Sequence, residues 1–243
     1  MKKTVTPYKG STSSKKEQVT KMFDGISKKY DLLNRVISLG IDQSWRKKVV
    51  HLASKQQPQR IIDIATGTGD LAIALKATNA KEIIGLDISP GMLSIGRDKV
   101  KQLALDNQIN MVLGDGEKLP YPDDHFDVAT VAFGVRNFED LEKGLSEILR
   151  VLRPKGTLLV LETAVPTKFP FKQGYKIYSG WLVPLMGRLF SRDQKAYQYL
   201  TDSAAVFPHG PAFNNILEKI GFIEVRDNPQ TLGVASIYCA KKP

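Results

Sequence analysis

Three features of the sequence predict an α/β fold: a mostly parallel seven-stranded sheet with helices on both faces. Short apolar runs alternate with helical stretches from Arg60 onward. Each run is bounded by Gly, Pro, Asp or Asn, and the first ends in a glycine-rich turn. Strands connected through helices lie parallel and are buried on both faces, which is why they read as continuous apolar sequence.

The composition is that of a globular chain: 243 residues, 42% hydrophobic and 25% charged, a size suited to one elaborated domain rather than two complete ones. Residues 1–14, rich in Lys, Ser and Thr without a period, read as a mobile tail. Val19, Met22, Phe23, Ile26 and Tyr30 then fall three and four apart, which predicts an amphipathic helix. A second helix is expected through Trp45, Val49, Val50 and Leu52. Between them Tyr30, Asp31 and Asn34 interrupt the apolar pattern, so that segment is expected to be ordered but need not be regular. The two helices make a cap over residues 15–57.

The sheet core occupies residues 58–162, with strands expected at Arg60–Ile64, Glu82–Leu86, Ile109–Leu113, Phe126–Ala132 and Thr157–Leu161. Helices are expected near 70–77, 91–105 and 139–152, with a Pro-Lys-Gly turn at 154–156. Residues 163–205 replace the alternation with aromatic and basic sequence and read as a helical, lid-like insertion. A helix near 211–220 and the runs GFIEVRDN and ASIYCAKK complete the fold over 206–243. No internal repeat is visible.

The net charge of +10 is concentrated in two segments. Residues 1–50 hold twelve Lys/Arg against four Asp/Glu, and residues 163–200 hold six against one. Charge confined in this way suits one face meeting an anionic membrane surface better than a uniformly nucleic-acid-binding protein. The start of the chain is basic without an apolar stretch, and no run of eighteen apolar residues occurs, so a cytoplasmic protein, peripheral on the inner face of the membrane, is expected. Cys239 has no companion for a disulfide or thiolate site and reads as a packed strand residue. His51, His125 and His209 share no metal-like spacing, and no metal is expected. For His125, in the turn PDDHFD, solvent exposure is the expectation.

The first strand runs into Asp63-Ile-Ala-Thr-Gly67-Thr68-Gly69-Asp70. Glycines there let the backbone turn sharply and approach a ligand closely. Gly67, Gly69 and Ala72 also satisfy G-x-G-x-x-A, so an NAD-linked oxidoreductase is the first rival. Asp87 ends the second strand twenty residues past Gly67, where a carboxylate accepts both hydroxyls of a ribose in either cofactor class. Asp63 favours a cationic cofactor, because a carboxylate beside a pyrophosphate would be repelled. Asp115, after the third strand, can accept from an adenine amino group. The set Asp63, Gly67, Gly69, Asp87 and Asp115 converges at the carboxyl edge of the sheet, with Ala132 at the end of the fourth strand beside it.

The order DxxTGTGD, GLDISPGML, GDGEKLPYPDDHFD and the Pro-Lys-Gly turn resembles a class I methyltransferase, a Rossmann-like fold. GISKKYDLLNRVISLGIDQSWR, FGVRNFED and AYQYLTDSAAVFP are similar to the UbiE/MenG family of quinone-ring C-methyltransferases, from about Glu17 to the end. The resemblance implies S-adenosylmethionine as cofactor. It also implies C-methylation of a polyprenylated quinol, demethylmenaquinol on the menaquinone route or the related benzoquinol on the ubiquinone route. The family's loop threonine falls on Thr68, its ribose aspartate on Asp87, and the pair after the third strand on Asp115 and Gly116. That pair reads Asn-Ala in some members, which puts the side-chain contact at Asp115 in question.

C-methylation needs a ring carbon in line with the sulfonium methyl and an ionised or ionising ring hydroxyl, so positioning and electrostatics carry it. Arg136 and Asn137, beyond the fourth strand, are the candidates to stabilise a phenolate and fix the ring. The competing reading pairs Arg136 structurally with an acid such as Asp140. Tyr30 and Asp31, on the capping helix, are the next catalytic candidates. An RNA methyltransferase and a non-catalytic nucleotide-binding module are the rivals from other classes. The chain lacks an appended RNA-binding domain and the Asn-Pro-Pro-Tyr or paired-Cys motifs of nucleic-acid methylation. Assembly as a homodimer is left open.

Overall fold

The computed structural model describes residues 5–166, 169, 173 and 194–243. Seven strands form one sheet: β1 (Arg60–Ile64), β2 (Glu82–Asp87), β3 (Ile109–Leu113), β4 (Phe126–Ala132), β5 (Leu152–Thr163), β6 (Ile223–Gln230) and β7 (Ala235–Lys241). Their spatial order is β3-β2-β1-β4-β5-β7-β6. β1 to β5 are parallel, and β7 runs antiparallel to both β5 and β6. The described helices are α1 (Lys15–Ser38), α2 (Ile41–Ser54), α3 (Asp70–Leu75), α4 (Pro90–Gln102), α5 (Leu141–Val151), α6 (Gln194–Val206) and α7 (Pro211–Ile220).

The strand alternation sends side chains to two cores. Ile62 and Ile64 face α5 and α7, where Leu145, Ile148, Phe213 and Leu217 are buried. Ile61 and Ile83 face α2, α3 and α4, against Val49, Leu71, Leu75 and Leu93. A third cluster joins α1 to α6 through Val19, Met22, Ile26, Ala196 and Tyr199. The strand expectations hold in place and order, and Cys239 is a half-buried residue of β7.

Three differences from the expectation have physical causes, and one segment that need not be regular is so. Tyr30 to Ser38 is regular helix: α1 continues unbroken, turns through left-handed Leu39 (φ 52°) and Gly40 (φ 75°), and gives way to α2. Pro154–Gly156 is not a turn between elements. The pairing jumps from Phe126↔Leu152 to Val128↔Thr157, so these residues bulge within β5, with Lys155 at φ 66°. His125 is half-buried, its ring beside Tyr121 and Phe126 with centroids 6.0 and 4.8 Å away, so its apolar neighbours withdraw it from solvent. Residues 5–14 of the expected tail are held to α1 by Gln18, which accepts from Tyr8 N at 2.9 Å and donates to Ser13 O at 2.8 Å. The aromatic and basic stretch 167–193 lies outside the described residues apart from positions 169 and 173.

The cap is fastened at both ends of the chain. Ser14 and Glu17 form a reciprocal capping box that starts α1. On α2, Trp45 Nε1 donates to Thr231 Oγ1 at 2.8 Å and Lys48 Nζ to Gln230 Oε1 at 2.6 Å. At the far edge, buried Asp127 accepts from Gln59 N (2.6 Å) and Arg60 N (2.8 Å) and pairs with Arg153 Nη1 at 2.5 Å, joining the entry to β1 with β4 and β5. Asp127→Ala strands two backbone donors and is expected to cost about 3 kcal/mol. Urea unfolding should show a lower midpoint with an unchanged slope.

Candidate active site

The strand order reverses direction at β1, whose neighbours are β2 on one side and β4 on the other. Loops leaving the two strands there diverge and open a crevice at the carboxyl edge. A partly open cleft lies at that point. Its walls include Ala65 and Gly67 after β1, Asp87 and Ile88 at β2, and Asp115 and Gly116 after β3. Ala132 and Phe133 at β4 and Asn137 close the far side, while Lys16, Phe23 and Tyr30 of α1 roof it.

Asp63 fixes the floor. It is 1% exposed and lies opposite Thr130 in the β1–β4 register. Its carboxylate accepts from Thr130 Oγ1 and Thr66 Oγ1, both at 2.6 Å. On the other side of Asp63 in register is Gly85, where a Cβ would come within 3.1 Å of Thr66 Oγ1 and 2.7 Å of Met111 Sδ. The glycine therefore leaves the room that Thr66 needs to reach Asp63. Asp87, also buried, accepts from Gly67 N at 2.7 Å and Ser89 N at 2.8 Å, so it binds the glycine turn to the end of β2. Burial raises the Asp87 carboxyl, against hydrogen bonds that lower it. Gly67 has φ 59°, and a Cβ on it would meet nothing nearer than Tyr30 Cε1 at 4.0 Å. Its open side faces the cleft, so the turn has room for a ligand against bare backbone.

Two non-glycine residues on the rim have left-handed backbone, Ala65 (φ 53°) and Phe133 (φ 58°). Such strain concentrates at functional edges. The two bends approach each other so closely that a Cβ on Gly134 would lie 2.6 Å from Ala65 Cβ. The Phe133 ring lies between the Arg46 and Arg136 guanidiniums, 5.7 and 6.0 Å from its centroid.

α1 is strapped across the site by polar contacts. Lys15 Nζ donates to Arg136 O (3.1 Å) and Phe138 O (2.5 Å). Lys16 Nζ pairs with Asp115 (2.7 Å) and Glu117 (3.4 Å). Asp24 accepts from Ser89 Oγ (2.5 Å) and Gly91 N (2.8 Å) at the start of α4. Asp31 accepts from Thr68 Oγ1 (2.6 Å) and pairs with Lys99 (2.5 Å), which also holds Asp70 (2.7 Å).

The sequence-predicted residues therefore divide. Gly67, Asp87, Asp115, Gly116, Ala132, Asn137 and Tyr30 line the cleft. Asp63 and Gly69 (φ 82°) shape the turn from beneath, while Thr68 and Asp31 spend their side chains on the α1–α4 tie. Arg136 is 7% exposed and pairs with Glu162, which is fully buried. The expected alternative partner was wrong: Asp140 caps α5 through Lys143 N at 3.0 Å, because its position just ahead of the helix suits a cap. Asn137 donates to Phe133 O (3.3 Å) and accepts from Tyr199 OH (3.2 Å). Burial disfavours the Arg136 charge, yet Glu162, Tyr30 and Tyr199 outweigh it and raise its pKa. Burial also raises Tyr30 and pushes Tyr199 up to about 12, so both remain protonated hydroxyls at neutral pH. Sequence reasoning missed Lys16, Phe133, Glu162 and Tyr199. Among the described residues no His/Cys/Asp/Glu group is arranged to hold a metal ion.

The sequence profile of the ubiE/COQ5 methyltransferase family matches residues 11–242. The chain belongs to this family. It is 45% identical over 239 residues to the demethylmenaquinone methyltransferase of Bacteroides fragilis, covering 98% of this chain and 97% of that one. The demethylmenaquinone methyltransferase of Porphyromonas gingivalis is 40% identical over 240 residues, 98% of each chain. The solved structure of a SAM-dependent methyltransferase from Thermotoga maritima shares the fold at a TM-score of 0.57 and 18% identity, over 92% of this chain and 99% of that one. Family members with this fold are SAM-dependent methyltransferases, and the cleft fits that cofactor: a bare glycine turn and a buried carboxylate face one enclosure.

The buried floor makes stability depend on pH. Burial pushes Asp63 from 3.8 up to about 6, against the two hydroxyl hydrogen bonds that lower it. The protonated form favours folding, so its contribution is fully present below pH 3.8 and is lost as pH climbs through about 6. Asp63→Asn stays neutral throughout. Relative to the parent, this variant should gain on the order of 2–3 kcal/mol between pH 4 and pH 7.5. Urea unfolding of both proteins at the two pH values measures it.

Proposed function

We propose that the chain transfers a methyl group from S-adenosylmethionine to a ring carbon of polyprenylated demethylmenaquinol, giving menaquinol. The observation that carries this reading is the 45% identity to a demethylmenaquinone methyltransferase across 98% of the chain. When bound, the cofactor supplies an electrophilic methyl group on a sulfonium. Asp87 would hold the ribose, Asp115 and Gly116 the adenine edge, and Gly67 and Gly69 the amino-acid end, with Asp63 beneath as the anionic counterpart of a cation. On the substrate side, Arg136 stabilises negative charge on the ring oxygen and Asn137 orients the ring. Tyr30 acts as a hydroxyl donor, and α1 roofs the cleft.

The direct test is incubation with methyl-labelled S-adenosylmethionine and quinols extracted from a methyltransferase-deficient cell. The label should enter demethylmenaquinol, identified by mass. Asp87→Ala should weaken cofactor binding by about 1.5–3 kcal/mol through lost charge-assisted hydrogen bonds. Calorimetry that finds tight NAD binding, or unchanged S-adenosylmethionine affinity in Asp87→Ala, overturns the assignment.

A prenylated substrate resides in lipid, and the reading includes peripheral contact with an anionic membrane. Among the described residues no helix is long and apolar enough to cross one. Lys28, Leu32, Arg35 and Leu39 recur at helical spacing along the outer side of α1 and its end, all exposed, with Leu32 at 58% and Leu39 at 75%. Basic and apolar residues in one stripe suit a charged interface, where each cation contributes about 1 kcal/mol and salt screens it. Flotation with phosphatidylglycerol vesicles should fall as salt rises and fall further in Leu32→Ser/Leu39→Ser. Equal flotation with neutral vesicles argues against the role of charge.

A further inference from the structure

The ion pair between Arg136 and Glu162 is incomplete. Glu162 Oε1 carries all its described contacts: Arg136 Nη1, Thr163 N at 2.7 Å and Thr163 Oγ1 at 3.1 Å. Glu162 Oε2 and Arg136 Nε are both buried without a hydrogen-bond partner. An unmade bond costs each buried polar group its full desolvation, and here one acceptor and one donor are left over on the two halves of the same pair. A hydroxyl group can satisfy either kind of atom, since its hydrogen donates to a carboxylate oxygen and its oxygen accepts from a guanidinium N–H. The pair lies behind the cleft wall rather than in it: Arg136 follows β4 next to Asn137 with its guanidinium 6.0 Å from the Phe133 ring centroid, and Glu162 is near the end of β5.

We propose that Arg136 and Glu162 together seat the ring hydroxyl of the quinol, and that Glu162 Oε2 is the base that takes its proton as the ring carbon is methylated. This rests on the quinol-methylating reading above. The O–H bond breaks toward Glu162, and its electron pair becomes the second bond of a carbonyl. A ring π pair forms the new C–CH3 bond, and the S–CH3 pair returns to sulfur, which leaves as a neutral thioether. The ring carbon then loses its hydrogen as a proton to water, and the C–H pair restores aromaticity. The carbonyl oxygen regains the proton from Glu162. One proton is released overall, and no oxidant or reductant is needed.

A free phenol gives its proton to an ordinary carboxylate with an equilibrium constant of only about 10⁻⁶. The base succeeds because the transfer accompanies bond formation. As the ring carbon takes the methyl group, the hydroxyl becomes a protonated carbonyl, a far stronger acid, so the carboxylate of Glu162 suffices as base. The two tyrosines nearby, both raised in pKa, are poor alternatives.

Glu162→Gln preserves volume and removes the base. Its turnover at pH 7 should fall by about 10²–10⁴, and log rate should rise with a slope near one into alkaline pH, because only quinol that has ionised by itself reacts. The parent's profile should be flat over that range. A second readout needs no turnover. With 4-methoxy-1-naphthol bound in the presence of S-adenosylhomocysteine, the naphtholate absorbance should appear at lower pH in Glu162→Gln, where Arg136 has lost its counterion. Glu162→Asp, which keeps the charge but withdraws it by one methylene, should show a smaller defect with the same alkaline slope, and serves if the Gln variant does not fold. A defect of equal size at every pH, or unchanged ionisation of the bound naphthol, makes the pair a structural clamp and overturns the proposal. A parent enzyme that binds S-adenosylmethionine but labels no quinol overturns the functional reading itself.

Discussion

Two hydroxyls on one buried carboxylate hold open the crevice between β1 and β4. Asp63 draws Thr66 of the turn and Thr130 of the neighbouring strand onto its two oxygens, and the glycine turn is built above it. Without those bonds, an ionised group with 1% exposure at the sheet centre would be untenable. With them, the chain leaves β1 in a fixed direction, Gly67 N reaches Asp87, and Ala65 and Phe133 bend in the left-handed region on facing rims. The cleft is the space these constraints leave between two diverging loops.

α1 then turns an edge into an enclosure. Its apolar side packs on Met92 and α6, while Lys15, Lys16, Asp24 and Asp31 each reach a different loop of the core. Single exposed pairs of this kind contribute little to stability. Distributed along one helix, they set its register over the site to within a residue. The cap is a positioning device more than a source of folding energy.

The sheet was legible because parallel strands buried on both faces leave continuous apolar runs, and Asp63, Gly67, Asp87 and Asp115 were legible because strand ends and glycine spacing locate loops. The second half of α1 was hidden by its polar residues: Tyr30 lines the cleft and Asp31 ties the helix to Thr68 and Lys99, where a core helix would present apolar side chains. Sequence spacing also misled at Arg136. A partner four residues away looked natural, but adjacent parallel strands brought Glu162, twenty-six residues on, to the same place. Pairings across a sheet have no local signature. Lys16 and Tyr199 were invisible for the same reason, each meeting its partner only after distant helices dock.

The bonds from Trp45 and Lys48 to Thr231 and Gln230 give the cap a temporal character. Trp45 leaves the ribosome 186 residues ahead of Thr231, its anchor. Until residue 231 has emerged, the indole of Trp45 and the apolar side of α2 lack part of their seat, and the catalytic cleft lacks a settled roof. Domains assemble as they are made only when contacts are local. Here α2 waits for a segment that is made much later, so the nascent chain carries an amphipathic helix whose seat is incomplete.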